Sequence, residues 1–193
     1  MTDMLQGPAS FAGGTPTLVG DGVRLREYQD DDVGLVRMAA SDPYIPLVTT
    51  VPTNPGDRDV TAYIERQRGR ARAGEGYQWV VEETSFQTPV GQIGVTWHDL
   101  GDASVGYWIA SPFRRRGFAK AALRAVVSWA AASQLARLNL FVEPWNEDSW
   151  RVAEAVGFER EAVEPEAIRV GGEVHEGYIY ALQLRISRQS TNA

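Results

Sequence analysis

The 193-residue sequence has no cysteine and only two histidines, His98 and His175. The first absence excludes disulfides, thiolate metal sites and a cysteine nucleophile. The second leaves a histidine-rich metal centre without ligands, so no metal is expected. No apolar run reaches the roughly 18 residues of a membrane-spanning helix. The opening stretch "MTDMLQGPASFAGGTPTLVG" lacks the basic and apolar regions of a secretory signal. Three phosphate and nucleophile motifs are also missing. No Gly-Lys pair exists, which rules out a P-loop; no G-x-G-x-x-G follows a strand; and no G-x-S-x-G elbow occurs. The net charge of −6 argues against a nucleic-acid binder and suits either a cationic substrate, such as an amine, or simple solubility. The expected location is the cytoplasm, with neither nucleic acid nor membrane as partner.

What is present is core-forming material. Hydrophobic residues make up 44%, with six tryptophans and seven tyrosines. At about 100–200 residues per domain, one domain is expected, over 21–193, behind a loose Gly/Pro/Ser/Thr-rich tail at 1–20. "VRLREY" (23–28) alternates as a short strand, and "DDDVGLVRMAAS" opens like a helix with an acidic first turn. "DPYIPLVTTVPTNPGD" holds four prolines and reads as a long loop. "RDVTAYIERQRGRARAG" reads as a second helix closed by Gly74. Three closely spaced alternating strands follow, an antiparallel meander in which Trp79 and Trp97 lie on apolar faces. Then comes an apolar helical stripe of Ala119, Leu123, Val126, Val127 and Ala130. An apolar strand, a helix ending at Gly157 and two strands near 159–164 and 177–186 complete the order. The implied fold class is α/β, a mixed and mostly antiparallel sheet of six to seven strands with helices on both faces.

"SPFRRRGFAKAAL" (111–123) places three arginines and a glycine between the third meander strand and an alanine-rich helix. Pro112 pushes Ser111 into an extended conformation and so ends the strand. The helix that follows begins with N–H groups that no carbonyl accepts, at the positive end of its dipole. A tight turn would aim the amides of Arg115, Arg116, Gly117, Phe118 and Ala119 at one point, an anion site for a phosphate or diphosphate. Gly117 has no Cβ to block the approach, Ala119 keeps the next wall small, and Arg114, Arg115 and Arg116 add mobile charge at the rim.

At these residues the chain resembles the GNAT superfamily of acetyl-CoA-dependent N-acetyltransferases, over about residues 20–186. "RRRGFA" fits that family's R/Q-x-x-G-x-G/A diphosphate loop. "VGYWIASPFRRRGFAKAAL" and "NEDSWRVAEAVGFERE" resemble the branch that acetylates the N-termini of ribosomal proteins. The resemblance implies a sheet splayed between "GYWIA" and "RLNLFVE". It implies acetyl-CoA in the resulting cleft, with backbone groups of Trp108, Ile109 and Ala110 pairing with the pantetheine arm. It implies Asn146 on the pantetheine and Ser149 near the sulfur. The residues alone leave Asn146 equally readable as a helix cap and Ser149 as a serine bonded to its own backbone.

Many members carry a tyrosine seven residues after that asparagine as acid to the leaving thiolate. Here Ala153 stands there, which leaves Ser149 as the candidate. Without cysteine, an amine is expected to attack the thioester directly, with a strand N–H near Tyr107 or Trp108 holding the oxyanion. His98, Glu143, Glu82, Glu83 and the carboxylates of 161–176 are rival bases, of which His98 and Glu143 are carried forward. The acceptor implied is a protein N-terminus or else a small-molecule amine. The alternative is a non-catalytic acyl-CoA-binding module, and the assembly is expected to be a monomer or homodimer.

Overall fold

The computed structural model describes residues 14–98, 101–133 and 135–184. Its eight strands form one sheet in the order β1-β2-β3-β4-β5-β6-β8-β7. They are β1 Leu18–Gly20, β2 Val23–Arg26, β3 Gly76–Glu83, β4 Thr88–Trp97, β5 Asp102–Ile109, β6 Arg137–Val142, β7 Glu159–Val170 and β8 Glu173–Gln183. The helices are α1 Val33–Ala40, α2 Ile45–Val48, α3 Asp57–Arg72, α4 Phe118–Ala132 and α5 Glu147–Glu154.

The mixed, mostly antiparallel sheet with helices on both faces is as the sequence implies, but it has eight strands rather than six or seven. The additional strand is β1, which lies inside the segment read as a tail; residues 1–13 of that segment fall outside the described residues. β1 pairs with β2, and Gly20 sits so close to α4 that an added Cβ would lie 3.2 Å from Ala125 Cβ. The proline-rich loop contains the single turn α2, with Pro46 in its first turn, where a missing N–H costs nothing. β7 and β8 are longer than expected at the hairpin end. Pro165 is tolerated because β7 is an edge strand whose register is irregular between Glu164 and Ile168.

One sheet face packs on α4 and α5. The alanine-rich side of α4 (Ala121, Ala122, Leu123, Ala125, Val126, Ala130) is buried there. Tyr77, Trp79, Trp97 and Trp129 meet in tilted and edge-on contacts, with centroids 5.5–6.0 Å apart. The other face packs on α1 to α3 through Val36, Val60, Tyr63, Ile64, Val80 and Trp108.

The sheet splits in its middle. β5 pairs with β6 in parallel only over Asp102–Ser104 and Arg137–Asn139. Beyond Ser104 the two strands part, while β6 stays paired with β8 out to Val142 and β5 stays paired with β4 out to Ile109.

Candidate functional site

β5 ends at Ile109, residues Ser111–Phe113 make one 3-10 turn, and the chain then bends into α4. Arg115 (φ 62°) and Gly117 (φ 84°) both have left-handed backbone. That conformation turns successive N–H groups toward one concave side, as in anion-binding nests. Among the described residues, no carbonyl or side chain accepts the N–H of Arg115, Arg116, Gly117, Phe118 or Ala119. A Cβ built on Gly117 meets nothing within 4 Å, so the space in front of it is open. The local arrangement suits a diphosphate.

The three arginines do not act alike. Arg116 stacks its guanidinium 5.0 Å from the Phe118 ring, and Arg115 is exposed. Arg114 is not mobile rim charge, which corrects the expectation. Its Nε donates to Ile109 O (2.9 Å) and its Nη2 to Asp42 Oδ2 (2.7 Å), tying the end of β5 to the α1–α2 connection. Asp42 is buried, and its Oδ1 accepts the N–H groups of Tyr44 and Ile45. Burial pushes its carboxyl up, but those amides and Arg114 outweigh burial and hold it below the usual carboxylate range. A carboxyl lowered in the folded state adds stability above its ordinary pKa and loses it as pH falls through the lowered value. Asp42→Ala should therefore lower Tm at pH 7 by about 3–6 °C, the effect of losing a good cap. Thermal melts of the two proteins should converge in strong acid; a constant gap would show that charge is not involved.

Backbone direction narrows the cleft assignments. Ala110 N donates to Val90 O, and His98 N to Asp102 O. In the antiparallel ladder the even-numbered residues of β5 therefore face β4, and the odd ones face away from it. Trp108 and Ala110 thus spend their backbone groups on β4, correcting the expectation that they pair with pantetheine. Tyr107 and Ile109 turn theirs to the cleft, and Ile109 keeps only its N–H free because Arg114 takes its carbonyl. Of the two oxyanion candidates, the Tyr107 N–H faces the opening.

Across the opening, α5 presents Asn146 and Ser149. Asn146 stands at the N-cap position of α5 but makes no capping bond; its Nδ2 donates to Glu143 Oε2 at 2.9 Å. Ser149 Oγ donates to the Tyr107 hydroxyl (3.2 Å), which in turn donates to Ser149 O (2.9 Å). Burial pushes the Tyr107 phenol up to about 12, so it stays protonated at neutral pH. Ala153 is fully buried one turn beyond Ser149. The Tyr107 side chain was not singled out from the sequence. Its partner lies 42 residues away, and only the splay brings β5 and α5 together.

Glu143 is buried at the end of β6, and burial together with the Glu143 carboxylate pushes the Tyr44 phenol up to about 12. Trp145 Nε1 donates to Tyr44 Oη (3.0 Å), and the Trp145 ring meets the His175 ring edge-on at 5.4 Å. Gly171 N donates to Leu47 O, so the β7–β8 turn reaches the proline-rich segment that carries α2. The other candidates stand apart. His98 is exposed and shares a hydrogen bond with Ser104 Oγ at 3.0 Å. Glu82 is locked between Arg24 and Arg26, and Glu83 accepts the amides of Ser85 and Phe86 in the β3–β4 turn. Glu161 pairs with Arg137.

A cavity of about 370 Å³ joins these parts. Glu143, Asn146, Ser149, Tyr107 and Trp108 line it, together with the segment Val48, Thr49 and Thr50 and with Gln67 and Arg70 of α3. Its floor is one sheet face carrying Gln78, Gln92, Gly94, Thr96, Ser104 and Gly106, all polar or small. Among the described residues no cluster of three or more metal-ligating side chains occurs, and no helix is long and apolar enough to cross a membrane.

Residues 23–159 match the family described as the acetyltransferase (GNAT) domain. Over 84 residues the chain is 33% identical to YdaF of Bacillus subtilis strain 168, provisionally named a ribosomal N-acetyltransferase; the match covers 43% of this chain and 46% of YdaF. The aligned part thus spans less than half the length of that curated relative. A structure from Vibrio cholerae, provisionally named a ribosomal-protein-serine acetyltransferase, matches with a TM-score of 0.74 at 26% identity, covering 88% of this chain and 99% of that one. Mycobacterium smegmatis RimJ, solved with a CoA disulfide, matches with a TM-score of 0.72 at 25% identity, covering 92% and 90%.

Proposed function

Since the chain belongs to the GNAT acetyltransferase domain family, we propose that it transfers an acetyl group from acetyl-CoA directly to an amine, with a protein N-terminus as the first candidate acceptor. The observation that carries this reading is the set of unaccepted amides at the head of α4, beside a sheet that opens between β5 and β6. A diphosphate on the amides of Arg115 to Ala119 would start a CoA molecule whose arm follows the free edge of β5, where Tyr107 and Ile109 face outward. The similarity to RimJ, solved with a CoA disulfide, supports the same cofactor.

When bound, acetyl-CoA supplies an activated acyl carbon: the amine nitrogen bonds to it, the C–S bond breaks, and the thiol leaves. The chain's own residues do the rest. Glu143 accepts the proton the amine must lose; it lines the cavity, whereas exposed His98 stands with Ser104 at the edge. The Tyr107 N–H receives the charge developing on the acyl oxygen. Ser149 Oγ, oriented by the protonated Tyr107 hydroxyl, hydrogen-bonds the departing sulfur. Asn146 holds the Glu143 carboxylate in place.

Thiol release from acetyl-CoA, measured over peptides with free N-termini, polyamines and amino sugars, tests the reading. Turnover with at least one amine class is expected. CoA binding with no turnover on any amine would instead make the chain an acyl-CoA-binding module. Ser149→Ala should lower kcat about tenfold or more while leaving CoA affinity within about twofold, the split expected for a contact made mainly in the transition state. An unchanged kcat would remove Ser149 from the chemistry. Tyr107→Phe should give a smaller loss, since it removes only the group that orients the serine.

A further inference from the structure

The cavity contains a set of donors with nothing to donate to. Gln92 Oε1 accepts both the Tyr28 and Tyr63 hydroxyls (2.5 and 2.6 Å), and its Nε2 donates to Gln78 Oε1 at 3.1 Å. That network ties Gln92 to Gln78 and to the two tyrosines. Left over are Gln67 Nε2 and Arg70 Nε, two buried donor atoms without a hydrogen-bond partner, both on residues that line this cavity. Gln67 is 1% exposed. The Trp108 indole N–H, by contrast, lies beside the Tyr63 hydroxyl and acts on that phenol as a hydrogen-bond donor. Arg70 makes no ion pair with any described residue. Buried donors without acceptors are costly, and such groups are normally satisfied.

Charge completes the pattern. Of the residues lining the cavity, two are charged: Arg70 on α3 and Glu143 at the end of β6. They come from different elements, a cation next to the unused Gln67 donor on α3 and an anion held by Asn146.

Building on the acetyl-transfer reading above, we infer that the amine acceptor carries a carboxylate, which Arg70 and Gln67 receive while its amine faces Glu143. The guanidinium and the amide N–H supply charge-assisted bonds to the carboxylate oxygens. A polyamine has no group for this wall and would leave the donors buried and unpaired. A carboxylate can come from two sources: a free amino acid-like metabolite, or an acidic side chain next to a peptide's N-terminus.

The test compares peptides beginning Ser-Asp with the same peptides beginning Ser-Asn, and free serine with serinamide, in acetyl-transfer assays. At least one carboxylate member should exceed its neutral counterpart in kcat/KM by about tenfold or more, the size of one charge-assisted bond. The peptide pair responding alone identifies an acidic N-terminus, and the serine pair alone a small metabolite. Arg70→Met and Gln67→Leu should shrink that preference to about twofold, through KM, with CoA affinity unchanged. Equal rates for charged and neutral members, or a preference that survives Arg70→Met, would overturn the inference and assign the donors to water. The same pairs are also titrated into CoA-saturated protein by calorimetry, so the answer does not require turnover. Arg70-dependent binding of the carboxylate member without any acetylation would uphold this subsite and sink the acetyl-transfer reading. Equal binding of both members would do the reverse to the subsite.

Discussion

Gly117→Glu is expected to raise the Kd for CoA by about 100-fold or more while the protein stays folded. The substitution sets a carboxylate where the unaccepted amides of Arg115 to Ala119 would hold a diphosphate. Like charges brought together in a binding site cost several kcal/mol, and each 1.4 kcal/mol is tenfold in affinity. The fold has room for the side chain, since a Cβ there meets nothing within 4 Å. The residual cost is conformational: with φ at 84°, an L-residue is strained by roughly 1–2 kcal/mol, or about 2–8 °C in Tm. Gly117→Asn separates the two effects, because asparagine tolerates the left-handed region and brings no charge. It should retain most of the CoA affinity that the glutamate loses. Equal affinities for wild type and Gly117→Glu would remove the loop from cofactor binding.

The second large effect is at Glu143. Replacing it with glutamine keeps a group that Asn146 can still hydrogen-bond and removes the proton acceptor from the cavity. A positioned general base contributes roughly 10²–10⁴ in rate, so kcat/KM at neutral pH should fall within that range. CoA affinity should hardly change. The pH profile carries the sharper signature. Without the carboxylate only amine that has already lost its proton reacts, so the rate should climb through the amine's own pKa, about 7.7–8.0 for an α-amine. His98→Gln serves as the contrast and should leave the rate within about twofold. If His98→Gln costs more than Glu143→Gln, the base has been assigned to the wrong wall.

The fold was most legible where periodicity is strong. The stripe of α4 and the alternation of β3, β4 and β5 each name their buried face, and Trp79 and Trp97 are in the core as their positions imply, with Trp129 packed against it. β1 was hidden because three residues carry no period, and its strand conformation depends on pairing with β2 and contact with α4. α2 was hidden by Pro46 and the prolines flanking it, which signal a break everywhere except in a first turn. The hairpin of β7 and β8 ran longer than read because its exposed segment "EPEAIRV" has no apolar alternation to mark a strand.

The site divides the same way. The anion loop could be argued from Pro112, Gly117 and the helix that follows, because its chemistry is local backbone chemistry. The roles of Arg114 and Tyr107 could not. Arg114 looks like one of three equivalent cations until Asp42, 72 residues earlier, is seen against it. Gln67 and Arg70 sit in "ERQRGRAR", a run that reads as the wet side of an amphipathic helix, and only the α3-facing side of the sheet shows them turned inward. Alternation along β5 also decides which backbone groups are free, and that parity depends on the ladder with β4 rather than on residue type.

Calorimetric titration of the protein with CoA and, separately, with pantetheine tests the central claim most directly. Both share the arm that follows β5, and only CoA brings the nucleotide diphosphate. CoA should bind at least about 100-fold more tightly, the difference disappearing in Gly117→Glu. Equal affinity for the two, or no CoA binding at all, would contradict the assignment of the α4 amides as the diphosphate site and the acetyl-transfer account built on it.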